Sequence, residues 1–245
     1  MIKVFHSLKL IIDIGNSAVK VALFKNKWLL RTTEFTNCSI NNITNFLSQE
    51  IVSKTILSSV KNIDKQTLEV ITHYKAIVLD EKTPLPIKIS YKNPDTLGKD
   101  RIAGVVAASC LYKDNNALVL DFGSCLTVDL INKEKEYIGG RISPGLIMRY
   151  NALHHFTDQL PLCKITNTES FIGNDTTSSI NSGVQQGMIA EVKEVIDTFR
   201  KENKDTVVIL TGGDCFFFEK ALKNSIFANP FLVMEGLNEI LDYNE

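Results

Sequence analysis

The fold turns on LVLDFGSCLTVDLI, Leu118–Ile131, because the chain has already used its pattern once. Leu10–Phe24 reads LIIDIGNSAVKVALF. Laying one on the other puts Asp13 on Asp121, Gly15 on Gly123 and apolar residues on apolar residues, at an offset of 108 positions (121 − 13). A strand that ends in Asp-x-Gly and turns into a second strand, found twice at this distance, points to internal duplication.

The segments around each copy follow one order. In the first half Leu8–Ile14, Val19–Phe24 and Trp28–Thr33 are short strand-like runs joined by polar turns. Ile40, Ile43 and Phe46–Leu47 recur at helical spacing, Thr55–Val60 reads as a strand, and Leu68, Ile71 and Tyr74 mark a second helix. Ala76–Leu79 and Ile87–Tyr91 are extended, and Ile102, Val105–Val106 and Cys110 suggest a closing helix. In the second half Ala117–Leu120, Leu126–Ile131 and Tyr137–Ile142 are the strands. A helix begins near Pro144, another spans Val184 to Arg200, and Val207–Leu210 is a strand. Phe216–Leu222 reads as helix, Phe231–Val233 as strand and Glu235–Leu241 as the last helix.

Each half is therefore β-β-β-α-β-α-β-α. A doubly wound dinucleotide fold alternates from its first strand, so this order excludes it. The order resembles the ribonuclease-H-like domain that occurs twice in the sugar kinase, Hsp70 and actin superfamily. That resemblance implies an α/β protein of two tandem domains, residues 1–114 and 115–245, with ATP in the cleft between them.

Composition narrows the partners. The 245 residues are 44% apolar and 22% charged, with a net charge of −1 and no basic run, so neither nucleic acid nor an anionic membrane is expected as a partner. No window reaches the ~18 apolar residues of a membrane span, and the opening MIKVFHSLKLIID lacks a leader's cleavage pattern. Five scattered cysteines without a Cys-x-x-Cys pair read as reduced thiols of a cytoplasmic protein.

The motifs carry phosphate chemistry. No Gly-x-x-x-x-Gly-Lys-Ser/Thr is present, which excludes a P-loop. Asp13-Ile-Gly15-Asn16-Ser17 is instead a turn whose backbone N–H groups can cradle phosphate oxygens. Its Asp can hold hydrated Mg²⁺, and Lys20 adds a positive charge. Asp121-Phe-Gly123-Ser124-Cys125 is the second such turn, and Thr211-Gly-Gly-Asp214 follows an apolar strand and opens a helix. The segment Tyr91-Lys-Asn-Pro-Asp-Thr-Leu-Gly98-Lys99-Asp100-Arg101 has no counterpart in the other half. It places Asp100 and Arg101 at a helix N-terminus, where a carboxylate can take a proton from a hydroxyl and an Arg can grip a carboxylate bidentately.

With these pieces in order, the sequence resembles the type III pantothenate kinases. The likeness covers Asp13–Ser17, Tyr91 with Leu97–Arg101, the second turn with Thr127 and Asp129, and Gly139–Gly145. It continues through Ala152-Leu153, Leu160-Pro161, Ile172-Gly173, Thr176, Ser182-Gly183 and Thr211–Gly213, nearly end to end. It implies ATP-dependent phosphorylation of pantothenate, the first step of coenzyme A biosynthesis.

The resemblance also implies roles. Asp13, Ile14, Gly15, Asn16, Ser17, Ala18, Val19 and Lys20 would bind ATP, with Ser124. Asp100 would be the general base, and Tyr91, Gly98, Lys99, Asp100 and Arg101 would line the pantothenate pocket. Asp121 would hold a monovalent cation, K⁺ or NH₄⁺, required besides Mg²⁺. Thr176 would reach pantothenate from the partner subunit of a homodimer. The usual second turn, Asp-x-Gly-Thr-Ala, is here Asp-Phe-Gly-Ser124-Cys125, which keeps the hydroxyl. The alternatives are another small-molecule hydroxyl kinase of the superfamily, which would not need the 91–101 segment, and a non-enzymatic regulatory relative, which would show erosion at Asp13, Asp100 or Asp121.

Overall fold

The computed structural model describes residues 8–166, 170–203, 205–222 and 226–244; positions 1–7, within the opening stretch read above, lie outside them. The chain forms two compact units. The first takes the described residues up to Lys113, Ile131–Ile138 and those from Phe231 onward; the second takes Asp114–Leu130 and Gly139–Pro230.

The first unit is built on β1 (Leu8–Ile14), β2 (Val19–Lys25), β3 (Trp28–Phe35), β4 (Lys54–Ser59) and β5 (Ile77–Val78), in the sheet order β3-β2-β1-β4-β5. β1 runs antiparallel to β2 and parallel to β4, with Asp13 opposite Lys20 on one side and Ser58 on the other. Being central, β1 is apolar on both faces, as LKLIIDI requires. Leu10, Ile12, Val21, Leu23 and Leu57 join Ile43 and Leu47 of α1 (Ile40–Leu47) and Val70 of α2 (Lys65–Tyr74). Ser39 caps α1 and Asp64 caps α2, each accepting a backbone N–H. α2 lies where its spacing predicts, but it turns Thr67 and Val70 inward and leaves Leu68 in solvent.

The short β6 (Lys88–Ile89) and a 3₁₀ turn at Pro94–Thr96 lead into α3 (Lys99–Leu111). The second unit holds β7 (Ala117–Phe122), β8 (Cys125–Ile131) and most of β9 (Glu136–Pro144), then α4 (Leu146–His155), α5 (Thr176–Glu202), β10 (Val207–Thr211), α6 (Cys215–Leu222) and β11 (Ile226–Ala228). The sheet order is β11-β10-β7-β8-β9-β6, so its first five strands repeat the arrangement of the first sheet about β7. β6 pairs with the opening residues of β9. α5 starts eight residues before Val184, at a capping box in which Asp175 and Ser178 satisfy each other's backbone. Ile189, Val192, Val195 and Ile196 are buried along it, on the face expected from their spacing.

The expected strand at Phe231–Val233 is a correction. The strand is Ile226–Ala228, parallel to β10, and Leu232 already opens α7 (Leu232–Tyr243). Leu232, Gly236, Leu237, Ile240 and Leu241 are buried at helical spacing, and that packing overrides the strand propensity of Phe-Leu-Val.

The units do not follow chain order throughout, because α7 packs on α3 in the first unit. Lys9, only 3% exposed, pairs with Asp242 at 2.5 Å, and Asn238 donates to the Asn26 carbonyl at 3.1 Å. The helix approach is closest at Gly236, where a Cβ would stand 1.8 Å from the Ala103 carbonyl oxygen. Gly236→Ala should therefore destabilise by about 2 kcal/mol, although Ala is the better helix former. Gly187→Ala on α5, where a Cβ meets nothing within 4 Å, is the control and should melt slightly higher. Equal melting shifts in the two variants would refute the packing argument.

Candidate active site

In the first unit the Asp-x-Gly turn joins β1 to β2. Gly15 donates its N–H to the Ala18 carbonyl at 3.0 Å, which closes the turn and leaves Asn16 and Ser17 exposed at its tip. Ile14 and Val19 point into the core, so only their backbone atoms are available to a ligand. Asp13 sits at the end of β1, 8% exposed, with Lys20 and Ser58 as its strand neighbours. Burial pushes its carboxyl up to about 6, the negative charge of Asp100 adds to this, and the Ser58 hydroxyl and Lys20 oppose it.

Among the described residues, Asp13 Oδ1 and the wholly buried Ser58 Oγ make no hydrogen bond of full geometry, although the hydroxyl lies near enough to the carboxyl to lower its value. Leaving a buried oxygen unsatisfied costs about 1–3 kcal/mol, so two at one register position call for an explanation. An oxygen-only donor set is what a hydrated Mg²⁺ takes. These residues fit that ion.

Asp100 arrives from α3. Gly98 is the N-cap and its carbonyl accepts from Ile102 N–H at 3.1 Å. Asp100 Oδ1 folds back over the helix start and accepts the Arg101 N–H at 2.8 Å. A Cβ at position 98 would stand 2.6 Å from that carboxylate oxygen, so a side chain there would push the Asp100 carboxylate out of this position. Arg101 is buried, 7% exposed, and its Nη2 donates to the Tyr137 hydroxyl at 2.9 Å. The Tyr91 and Tyr137 rings lie 5.8 Å apart at 59°. Lys99 is half-buried beside them in sequence. The first unit thus brings Asp13, Lys20 and Asp100 into one electrostatic neighbourhood, and links Tyr91 to Arg101 through Tyr137.

In the second unit the corresponding turn is two residues shorter, with Gly123 N–H donating to the Cys125 carbonyl at 3.0 Å. Gly123 and Ser124 are exposed at its tip. Asp121 is paired in register with Thr211 of β10, as Asp13 is with Ser58. Gly212, at φ +88°, lies against it: a Cβ there would stand 2.3 Å from Asp121 Oδ1. Asp214 N–H donates to the Phe122 carbonyl at 3.1 Å, and Phe122 stacks on Phe218 with centroids 4.0 Å apart. Gly145, just after β9, donates to the Ser124 carbonyl at 3.2 Å and leaves no room for a side chain. Thr176 is exposed at the first position of α5.

Sequence reasoning missed Ser58, Tyr137 and the pairing role of Thr211. Thr211 had one available signal, as the hydroxyl that closes the apolar run Val207–Leu210, though not its pairing with Asp121. Ser58, within Lys-Thr-Ile-Leu-Ser-Ser, had none, and neither had Tyr137.

The family model described as type III pantothenate kinase matches residues 9–198. A curated type III pantothenate kinase from Christiangramia forsetii is 41% identical over 241 residues, covering 97% of this chain and 99% of its own. Another, from Bacteroides fragilis, is 39% identical over 239 residues, covering 97% and 98%. A solved glucokinase from an Antarctic psychrotroph aligns at TM-score 0.54 and 11% identity, covering 97% of this chain and 99% of that one. That last likeness shows the fold alone. Fold, paired Asp-x-Gly turns and full-length identity converge, and the chain belongs to the type III pantothenate kinase family.

Proposed function

We propose that this protein transfers the γ-phosphoryl group of ATP to the primary hydroxyl of pantothenate, the first step of coenzyme A biosynthesis. The observation that carries the reading is Asp100, fixed at the N-terminus of α3 and electrostatically coupled to Asp13. Asp100 accepts the hydroxyl proton as the hydroxyl oxygen bonds to the γ-phosphorus. The β–γ bridging oxygen leaves with its bonding pair, giving ADP and 4′-phosphopantothenate. Such a transfer asks the protein chiefly for positioning and charge neutralisation. Gly15–Ala18 and Lys20 are the groups suited to the ATP phosphates, and Ser124 is a further hydroxyl suited to the nucleotide. Asp13, with Ser58 beside it, holds Mg²⁺, which when bound neutralises phosphate charge. Asp121, with its neighbouring backbone oxygens, is the group suited to K⁺ or NH₄⁺.

Arg101 and Tyr91 receive the pantothenate end that carries the carboxylate. Thr176 acts across a homodimer, a reading supported by exposed apolar side chains on the second unit, among them Phe156, Phe171 and Ile172. The protein works in the cytoplasm; among the described residues no helix is long and apolar enough to cross a membrane. A regulatory relative would have no use for a base at position 100, and the sequence retains Asp13, Asp100 and Asp121.

An ATP-consumption assay with Mg²⁺ and K⁺ tests this. Turnover is expected with pantothenate and not with a panel of sugars and polyols. Replacing K⁺ and NH₄⁺ by Na⁺ should remove most of the rate. Turnover of a sugar in preference to pantothenate would overturn the substrate, and an unchanged rate in Na⁺ would strip Asp121 of its role.

A further inference from the structure

We infer that Tyr137 is the positioning residue that aims Arg101 at the substrate carboxylate, and so sets the preference for an acid over a neutral analogue; this rests on the pantothenate reading above. Arg101 comes from α3, but the direction of its guanidinium is fixed from a different element. Tyr137 lies in the first two residues of β9, wholly buried, and its hydroxyl accepts from Arg101 Nη2 at 2.9 Å. A guanidinium buried to 7% exposure needs such a partner, because desolvation otherwise outweighs what its charge gains. An Arg fork recognises a carboxylate through two parallel N–H groups in one plane, and the bond from Tyr137 constrains that plane.

The same residue also reaches the start of the substrate segment. Its carbonyl accepts the Ser90 N–H at 3.0 Å, and Lys88 N–H donates to the Lys135 carbonyl at 2.8 Å, fixing the β6–β9 register. Tyr91 follows directly, with its ring 5.8 Å from that of Tyr137. Backbone, ring and hydroxyl of one tyrosine therefore tie both ends of the Tyr91–Arg101 segment. The neighbouring carboxylate, Glu136, is engaged with Ser90 and with Lys88 at 3.2 Å, so it is turned to its own partners.

Tyr137→Phe keeps the ring and the ladder and removes only the hydroxyl. In the full-length protein it should raise the KM for pantothenate roughly tenfold, the scale of one hydrogen bond to a charged group. Turnover at saturation and the KM for ATP should stay within about twofold. Binding of the neutral alcohol analogue, in which a hydroxymethyl group replaces the carboxylate, should be unchanged by calorimetry. An unchanged pantothenate KM, or equal weakening of acid and alcohol, would overturn the inference. A wild type that does not turn over pantothenate would overturn the substrate reading and this inference with it. In a cycle with Arg101→Lys the hydroxyl acts through Arg101, so the two losses should not add. Additive losses would refute it. Should Tyr137→Phe fold poorly, Arg101→Lys alone carries the test, weakening pantothenate and not the alcohol, because an ammonium cannot span hydroxyl and carboxylate as a fork does. Equal weakening of both would refute it.

Discussion

Asp100→Asn should fold and melt like the wild type yet lose roughly 10²–10⁴-fold in turnover, the range for removing a general base. The substitution is nearly isosteric, and the amide oxygen can still accept the Arg101 N–H that now holds Oδ1. What it cannot do is take a proton from the substrate hydroxyl. Substrate affinity should change little, which puts the loss in kcat. A second consequence follows from charge. The negative charge of Asp100 is one reason the Asp13 carboxyl is pushed up to about 6, so removing it should lower the Asp13 value. A variant that kept wild-type turnover would exclude Asp100 as the base. One that lost turnover while Asp13 still titrated as before would break the electrostatic link between them.

The repeat was legible in the sequence because a strand ending in Asp-x-Gly leaves a pattern that survives divergence of everything around it. The two sheets place Asp13 and Asp121 at equivalent ends of equivalent strands, in the same strand order. The hydroxyl beside each Asp was not legible. Strand pairing between β1 and β4, or β7 and β10, joins residues far apart in the chain, and one sequence holds no record of register. Tyr137 was hidden for the same reason: its partner Arg101 is 36 positions away on another element. The Phe231 region misled because local propensity favoured a strand, whereas the helix there exists to fill the surface of α3. Its position in the first unit depends on Gly236 meeting Ala103, which composition cannot reveal. Candidate site residues stand out in the sequence more than the packing that holds them, since chemistry restricts residue type more tightly than burial does.

Asp13→Asn should make the protein more stable at neutral pH and nearly inactive. Asp13 carries its shift from 3.8 to about 6 chiefly because it is buried. A carboxyl whose folded value lies above its unfolded value holds its proton more tightly when folded. Its contribution favours folding at low pH and is lost as pH rises from about 4 to about 6, after which the penalty is constant. At 1.36 kcal/mol per pH unit the full penalty is about 3 kcal/mol. Asn carries no charge and escapes it, while its amide brings polar atoms of its own, so a gain of about 1–3 kcal/mol is expected. Without nucleotide or Mg²⁺, the melting curves of variant and wild type should therefore converge toward pH 4 and separate up to about pH 7, the variant melting higher. Adding ATP and Mg²⁺ should reverse the order. The wild type gains stability from a ligand bound only by the folded state, and the variant, lacking the carboxylate, gains far less. Turnover should fall roughly 10²-fold or more, as when one preorganised electrostatic group is removed. A variant less stable than the wild type at every pH would mean that Asp13 is held by partners already in the fold. Its strain would then not be reserved for the nucleotide, and the pairing of a destabilised carboxylate with a metal-bound phosphate would have to be abandoned as the reason Asp13 lies buried beside Ser58.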